Sequence, residues 1–490
     1  VIDKEKDILL RNAYEVNQHA EASQEKHLYN AMRGGIMTGR KRERRRKYSL
    51  GIGMAAAAVA VILILSIVKA PVKEVVQATV RSEVNKPWSD SELFRSSSVR
   101  DQSFESLLDR NLIAPVYHSV EKNGFRAEVM GAVTDGRKVY VLYNVQNDSV
   151  HPVVHAGFTL DYGAVKAPSI GTSLDITKGT SEIKPGQTKN FIYSANLLPS
   201  VSYPKDVKLS IILTETSEKA LLSSSKKYRT ELDIPFELDS DMLKEQSHTV
   251  TANRTLIVDG QKINVQKVLY TPLGTYVDIE YDKNNEKQIF QLINPVLMVE
   301  KGGKTEKTYY PSLITSYNSE IYKDSSKATL VFKSSEYNDP DSISLKAFGI
   351  SAVEKDQMKI VVDLNKNQII EAPGSNLELV EPKPEDYAEP GEILLRHKFD
   401  NAHYLSTDNA FSETFTDAEG QVHKKVSVNK TTPGGSWAGS SVSRDGTAED
   451  QLRYRFGENA KDYPQPLTIT IERYKNPIMD TQAVELYSKK

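Results

Sequence analysis

Few residues in this chain have the types and spacing that do chemistry. Ser-x-x-Lys occurs at Ser119–Lys122 and Ser223–Lys226. A nucleophilic serine of that kind needs a helix start and partner Lys-Thr-Gly and Ser-Asp-Asn motifs, and neither partner exists here. His151 and His155 have the i, i+4 spacing of a helical metal pair, but Pro152 lies between them in a loop-and-strand context. On a strand that spacing does not converge two rings, so both read as ordinary surface histidines. Asp363, Asn365 and Asn367 begin like a calcium loop, yet Gln368 stands where glycine is needed and no Glu closes it. A strand end followed by a turn accounts for them. Trp437 in PGGSWAGSS (Pro433–Ser441) reads as a ring folded over a sandwich end, with a glycan or protein contact as the alternative. No phosphate loop, His-Glu-x-x-His or Gly-x-Ser-x-Gly elbow is present. The expectation is a protein that is not an enzyme and uses no cofactor or metal.

Composition narrows the class further. The 490 residues contain no cysteine, which removes thiol catalysis, cysteine-based zinc sites, iron–sulfur clusters and disulfides together. Net charge is −2, so the bulk of the chain does not suggest a nucleic-acid partner. The length suffices for several domains, each with its own core. A large cysteine-free exterior fits a bacterial envelope better than an animal secretory pathway.

That exterior is expected because of one segment. Leu50–Val68 (LGIGMAAAAVAVILILSIV) is nineteen uncharged residues, and RKRERRRK at Arg40–Lys47 directly precedes it. A hydrocarbon core about 30 Å thick needs roughly 20 apolar residues of helix. Basic flanks stay cytoplasmic, so Arg40, Lys41, Arg42, Arg44, Arg45, Arg46 and Lys47 orient the chain with its head inside. The run is too long for a signal-peptide core, and Val68 and Lys69 sit badly at a cleavage site between Ser66 and Ala70. The chain therefore reads as a single-pass protein of the cell membrane. Everything beyond residue 70 is extracytoplasmic. The first residue is Val, which leaves a non-AUG initiator and a missing piece of head as open alternatives.

The elements follow from periodicity. In the head (1–47), Ile8, Leu9, Val16, Leu28 and Met32 give an imperfect helical face, interrupted by Gly34–Gly35. Residues 48–69 form the span. Residues 70–117 read as a polar linker ending in one amphipathic helix at Asp101–Leu112, with Phe104, Leu107, Leu108 and Leu112 on one face. From about His118 the period changes to two. Val139, Val141, Tyr143 and Val145 alternate with Tyr140, Leu142 and Asn144. Asn123-Gly124 and Asp135-Gly136 supply tight turns. Further strands are predicted at 157–161, 190–195, 207–214 and 229–236.

The layout then recurs. Sliding the chain by 136 positions puts Gly124 on Gly260, Val129 on Val265, Tyr140 on Tyr276 and Val141 on Val277. FIYSA (Phe191–Ala195) is echoed by TLVFK (Thr329–Lys333), and TELDI (Thr230–Ile234) by KIVVD (Lys359–Asp363). Two tandem sandwiches are expected at 118–240 and 247–370, then a Pro- and acid-rich linker at 371–391 and a third β domain at 392–490. The predicted fold class is mainly β: a helical head, one transmembrane helix, and tandem antiparallel Ig-like sandwiches.

The pieces MRGGIMTGRKRERRRK (Met32–Lys47), PVYHSVEKNGFRAEVMGAVTDGRKVYVLYNV (Pro115–Val145) and RTLIVDGQKINVQKVLYTPLGTYVDIEY (Arg254–Tyr281) carry a resemblance. With the span, they resemble a family of Gram-positive single-pass membrane proteins with extracytoplasmic β domains of unknown function. Members of that family are often labelled negative effectors of extracytoplasmic-function sigma factors. The resemblance covers about 30–370 and is one of pattern and layout. It implies an anti-sigma-like regulator or envelope sensor, active in signal transduction, whose head holds a sigma factor while the exterior meets a protein or glycan. The departure is that the zinc cluster of classical anti-sigma domains is absent, with nothing comparable near His19 and His27. Any sigma factor would then be held by Ile8, Leu9, Val16, Leu28 and Met32 alone, or with residues before Val1. Resting of this basic amphipathic helix on lipid is the alternative for the head. A structural or adhesive surface protein is the alternative for the whole.

Overall fold

The computed structural model describes residues 88–95, 102–163, 165, 169–199, 201–216, 228–309, 312–315, 326–335, 339–380, 390–400, 409–426, 439–442 and 447–489. The predicted head, span, basic flank and Trp437 lie outside them. Among the described residues no helix is long and apolar enough to cross a membrane. The chain is mainly β, in paired antiparallel sheets.

Two short helices lead in, α1 (Ser91–Phe94) and α2 (Gln102–Asp109). The first unit has nine strands: β1 (Ala114–Lys122), β2 (Phe125–Thr134), β3 (Lys138–Asn147), β4 (Val153–Asp161), β5 (Ser169–Ile176), β6 (Glu182–Ile183), β7 (Thr188–Leu197), β8 (Asp206–Glu215) and β9 (Arg229–Glu237). One sheet runs β1-β2-β3-β7-β5 and the other β6-β4-β8-β9. Strand β9 shows why: Thr230, Leu232, Ile234 and Phe236 are buried while every intervening residue is exposed. Period two turns one face inward. The inner faces meet in one core, with Val129, Val141, Tyr143 and Tyr193 from one sheet and Leu160, Leu209, Ile211 and Ile234 from the other.

The second unit repeats this plan. Its strands are β10 (His248–Val258), β11 (Gln261–Thr271), β12 (Gly274–Tyr281), β13 (Lys287–Ile293), β14 (Val296–Lys301), β15 (Lys304–Thr308), β16 (Ser312–Thr315), β17 (Lys327–Phe332) and β18 (Ser342–Glu354). One sheet runs β10-β11-β12-β17-β16, matching β1-β2-β3-β7-β5. The register matches too. Lys122 pairs Phe125 across Asn123-Gly124, and Val258 pairs Gln261 across Asp259-Gly260. All four turn residues have positive φ, between 49° and 75°. That is the tight hairpin that Asn-Gly and Asp-Gly favour. The register shift between Pro115 and His118 recurs between Thr251 and Arg254. Tyr117 and Asn253, inside those shifts, have φ of 51° and 44°.

Two sequence pairings are corrected. Val141 and Val277 pair with Tyr193 and Leu330, so Phe191–Ala195 answers to 328–332, one residue earlier than the predicted echo. Composition cannot see a one-residue slip, but it reverses every side chain. Lys359–Asp363 is not the partner of β9, because it pairs in a third unit. That unit contains β19 (Lys359–Asp363), β20 (Gln368–Glu371), β21 (Leu377–Val380), β22 (Glu392–Asp400), β23 (Ala410–Thr416), β24 (Val422–Lys424), β25 (Gly439–Val442), β26 (Thr447–Arg455) and β27 (Leu467–Arg473). Its sheets are β20-β19-β27-β23-β24 and β21-β22-β26-β25.

The strand equivalent to β9 comes from the far end of the chain. β28 (Pro477–Ser488) pairs antiparallel with β18, and Leu486 enters the core of the second unit. The third unit is thus inserted between the last two strands of the second. Sheet pairing therefore does not follow the boundaries expected at 370 and 392, and the stretch expected as a linker at 371–391 contains β21. Gly349 shows how closely β28 lies, since a Cβ there would collide with the Ile478 carbonyl.

Candidate functional site

Two places bring together side chains with more than packing to do. The first is where the units meet. Turns β2–β3 and β11–β12 occupy equivalent positions in the two copies, and they touch. Asp135 Oδ2 accepts hydrogen bonds from the hydroxyls of Thr271 (2.5 Å) and Tyr276 (2.8 Å). Burial pushes the Tyr276 phenol well above its usual range, with the Asp135 charge adding to it, so it stays a donor. Arg137 Nη2 lies 2.6 Å from Asp278 Oδ2, and its guanidinium sits 5.6 Å from the Tyr276 ring centroid. Both partners of that ion pair are largely buried, at 8 % and 13 % side-chain exposure. Thr329 donates to the other Asp278 oxygen at 2.7 Å.

The segment leading in from the predicted span packs beside this joint. Trp88, Phe94, Phe104, Leu107, Leu108 and Ile113 form one buried cluster with Met130, Tyr140, Leu142 and Ile192 on the outer face of the first sheet. Leu273 of the second unit belongs to the same cluster. Ser334 N–H donates to Ser103 Oγ at 3.1 Å, joining α2 to the second unit again. The helix expected at Asp101–Leu112 is present as α2 with its apolar face inward, each such side chain worth about 1.5–3 kcal/mol when buried. The polar linker expected before it is not a linker throughout, because Trp88 and Phe94 are core residues. Arg95 clamps the two helices through Glu92 (2.8 Å), Glu105 (3.1 Å) and Asp109 (2.7 Å).

The second place is inside the third unit. Lys475 Nζ lies 2.9 Å from Asp450 Oδ2, and the Asn409 amide donates to that same oxygen at 2.8 Å. The Lys475 backbone N–H donates to Asn409 Oδ1 at 2.8 Å. A backbone N–H only donates and a carboxylate only accepts, so these partners fix which way the carboxamide faces. His397 Nδ1 is 3.3 Å from Asn409 Nδ2. Its ring stacks on Tyr474 with centroids 4.5 Å apart, and Lys475 Nζ sits 4.9 Å from the Phe399 centroid. Burial lowers the His397 imidazole to about 4, so it is neutral at physiological pH. All four polar residues are less than 9 % exposed.

Sequence reasoning missed this cluster, though a signal was there. His397 falls in phase with Ile393, Leu395 and Phe399, Asp450 with Leu452 and Tyr454, and Lys475 with Leu467, Ile469 and Ile471. His397 and Asp450 are polar residues in the inward register of strands whose other inward residues are apolar, while Lys475 lies two residues past the end of β27.

The residues singled out from sequence fall elsewhere. Ile8, Leu9, Val16, Leu28, Met32 and the seven basic flank residues lie outside the described residues. His155 is not on the open surface as expected. It is half-buried against Phe191 at 5.0 Å and within 2.7 Å of the Tyr143 hydroxyl, and burial lowers it to about 4. Asp363 ends β19 and accepts the N–H groups of Asn365 and Lys366 at 3.0 Å, and Asn367 has φ 52°, which is the predicted turn. Among the described residues no group of three His, Asp or Glu is placed to hold a metal.

No protein-family model and no curated protein matches the sequence. Among solved structures, a conserved domain protein from Bacillus anthracis aligns at 14 % identity and TM-score 0.32, over 52 % of this chain and 84 % of that one. The Pseudomonas aeruginosa CupB2 chaperone aligns at 12 % identity and TM-score 0.14, over 44 % and 90 %. The secreted serine protease VesC from Vibrio cholerae aligns at 14 % and 0.14, over 45 % and 48 %. At these scores the alignments carry no argument about function.

Proposed function

We propose that this chain is a single-pass membrane regulator of the anti-sigma class, with its head in the cytoplasm and its β units outside. The observation that carries the reading is the packing of residues 88–95 and 102–112. These residues come after the apolar run in the chain, cover one face of the first unit and reach the second through Leu273 and Ser103. A tether seated at the joint between two sandwiches feels any change in their relative angle, whereas a tether hung from one loop would not. The head face of Ile8, Leu9, Val16, Leu28 and Met32 is too short to be a stable helix in water by itself, so it needs a covering partner. We assign that partner as a sigma factor.

Leu9→Glu and Val16→Glu place charge on that face. They are expected to release the sigma factor and raise transcription from its promoters. Unchanged transcription, with the variant present at normal abundance, contradicts the regulatory reading. It would favour the second one, a structural or adhesive surface protein, which draws support from the buried Arg137–Asp278 pair that stiffens the joint.

A further inference from the structure

We propose that Lys475 and Asn409 join in an intramolecular amide bond, formed by the protein itself with Asp450 as the catalytic carboxylate. The inference does not rest on the regulatory reading. It requires only the third unit. Forming an amide between two side chains takes an amine and a carboxamide held together, a group that moves protons between them, a donor for the developing oxyanion, and exclusion of water. Each requirement has a residue here. The amine of Lys475 and the Nδ2 of Asn409 contact one and the same Asp450 oxygen, at 2.9 and 2.8 Å. The Asn409 carbonyl oxygen already accepts the Lys475 backbone N–H at 2.8 Å, where charge would develop. Phe399, Tyr474 and a neutral His397 surround the set, and all are buried.

The step balances without another reagent. The Lys475 ammonium passes a proton to Asp450, leaving both groups neutral, the form that an apolar shell favours. Nζ then attacks Cγ of Asn409 and the Nζ–Cγ bond forms, while the carbonyl π pair moves onto Oδ1 beside the backbone N–H. Asp450 delivers its proton to Nδ2 and takes one from Nζ. The oxyanion collapses, the Cγ–Nδ2 bond breaks, and the ammonia released takes the remaining proton from Asp450 and leaves as ammonium, returning Asp450 to its carboxylate. Lysine ammonium plus carboxamide has become a substituted amide plus ammonium, with no change in oxidation state.

The position gives the bond a use. Asn409 directly precedes β23 and Lys475 follows β27, and these two strands pair at Ala410 and Arg473. Two residues beyond Lys475 the chain enters β28 and the second unit. The bond would close the mouth of the inserted unit covalently, so that tension on β28 could not peel β27 from β23. A domain without disulfides gains a permanent staple.

The test is mass spectrometry of the purified full chain, as intact mass under denaturing conditions and as a tryptic map. The expected result is a mass lower than the sequence mass by one ammonia, with a branched peptide joining Lys475 to Asn409. Lys475→Arg keeps a cation beside Asp450 but removes the amine, and is expected to restore the full mass. Asp450→Ala is expected to do the same. An unbranched, cleavable Lys475 peptide in the wild-type map overturns the proposal, and it does so without depending on how any variant folds. Ammonia loss that maps to the Asn123-Gly124 turn overturns it equally. A branched peptide persisting in Asp450→Ala overturns the catalytic role given to that carboxylate.

Discussion

The first and second units keep one register and differ on one face. Sliding by 136 positions carries Met130, Gly131 and Leu142 onto Gln266, Lys267 and Asp278. In the first unit these residues lie beneath Trp88, Phe104 and Ile113. In the second they are polar and satisfy one another, Gln266 with Glu280 at 2.7 Å and Lys267 with Asp278 at 3.6 Å. Gly131 marks the difference most sharply. A Cβ there would stand 2.7 Å from Ile113 Cγ2 and 3.1 Å from Trp88 Nε1. The copy covered by Trp88, Phe104 and Ile113 has no side chain at this position, and the copy without that cover carries a lysine. One scaffold was thus given two uses by changing outward residues while inward ones held the fold.

Exchanging residues between the copies tests this. The largest effect is expected from Asp278→Leu, which installs the first unit's residue. It strands Arg137 as a buried, unpaired charge at the joint and should cost about 3–5 kcal/mol in urea unfolding. Arg137→Leu added to it should recover most of the loss. If the double variant is no better than the single one, the ion pair is not what the joint depends on. Gly131→Lys comes next. Its side chain has to displace Ile113 and Trp88 or bury a charge, for a loss of about 3 kcal/mol and a red-shifted tryptophan emission. The reverse exchange, Lys267→Gly, should cost only about 0.5–1 kcal/mol, the penalty of glycine in a strand.

Smaller effects separate the two hairpins. Gly124→Val and Gly260→Val each force a β-branched residue to positive φ and should cost about 1–3 kcal/mol. Gly124 should be the worse of the two, because its Cβ would meet the Ser149 backbone at 3.3 Å while Gly260 faces open space. Equal losses would mean that φ alone sets the penalty. The smallest effect at neutral pH comes from His155. Burial lowers it to about 4 in the folded state against an ordinary 6.5 unfolded. Between those values the unfolded chain binds the extra proton, so stability is full above about 6.5 and falls as pH drops toward 4. The second unit contains only His248, which is exposed. Hydrogen exchange at pH 7 and pH 5 should therefore show the first unit loosening more, and His155→Phe should flatten that difference.

How far these features were legible depends on how local their cause is. The hairpins at Asn123-Gly124 and Asp259-Gly260, the two-faced strand around Val141 and the face of α2 come from neighbouring residues, and they stood in the sequence. The return of β28 did not, because Pro477–Ser488 alternates like any edge strand and nothing local names its partner as β18. The same holds for Trp88 and Phe94, whose polar neighbours disguise them as linker. The cluster of His397, Asn409, Asp450 and Lys475 was half legible. The inward phase of His397 and Asp450 could be read strand by strand, but their convergence with Asn409 and Lys475, which lie just outside strands, needs the third dimension.

Residues 88–95 and 102–112 are built into the first unit rather than draped over it, which is what would let the proposed anchor and the joint move together. Hydrogen exchange followed by mass spectrometry on the full chain tests it directly. The amides of residues 104–112 are expected to exchange as slowly as those of Val139–Val145, and Gly131→Lys to release the former while sparing the latter. Fast exchange of 104–112 in the unaltered protein, beside a protected β3, would contradict it.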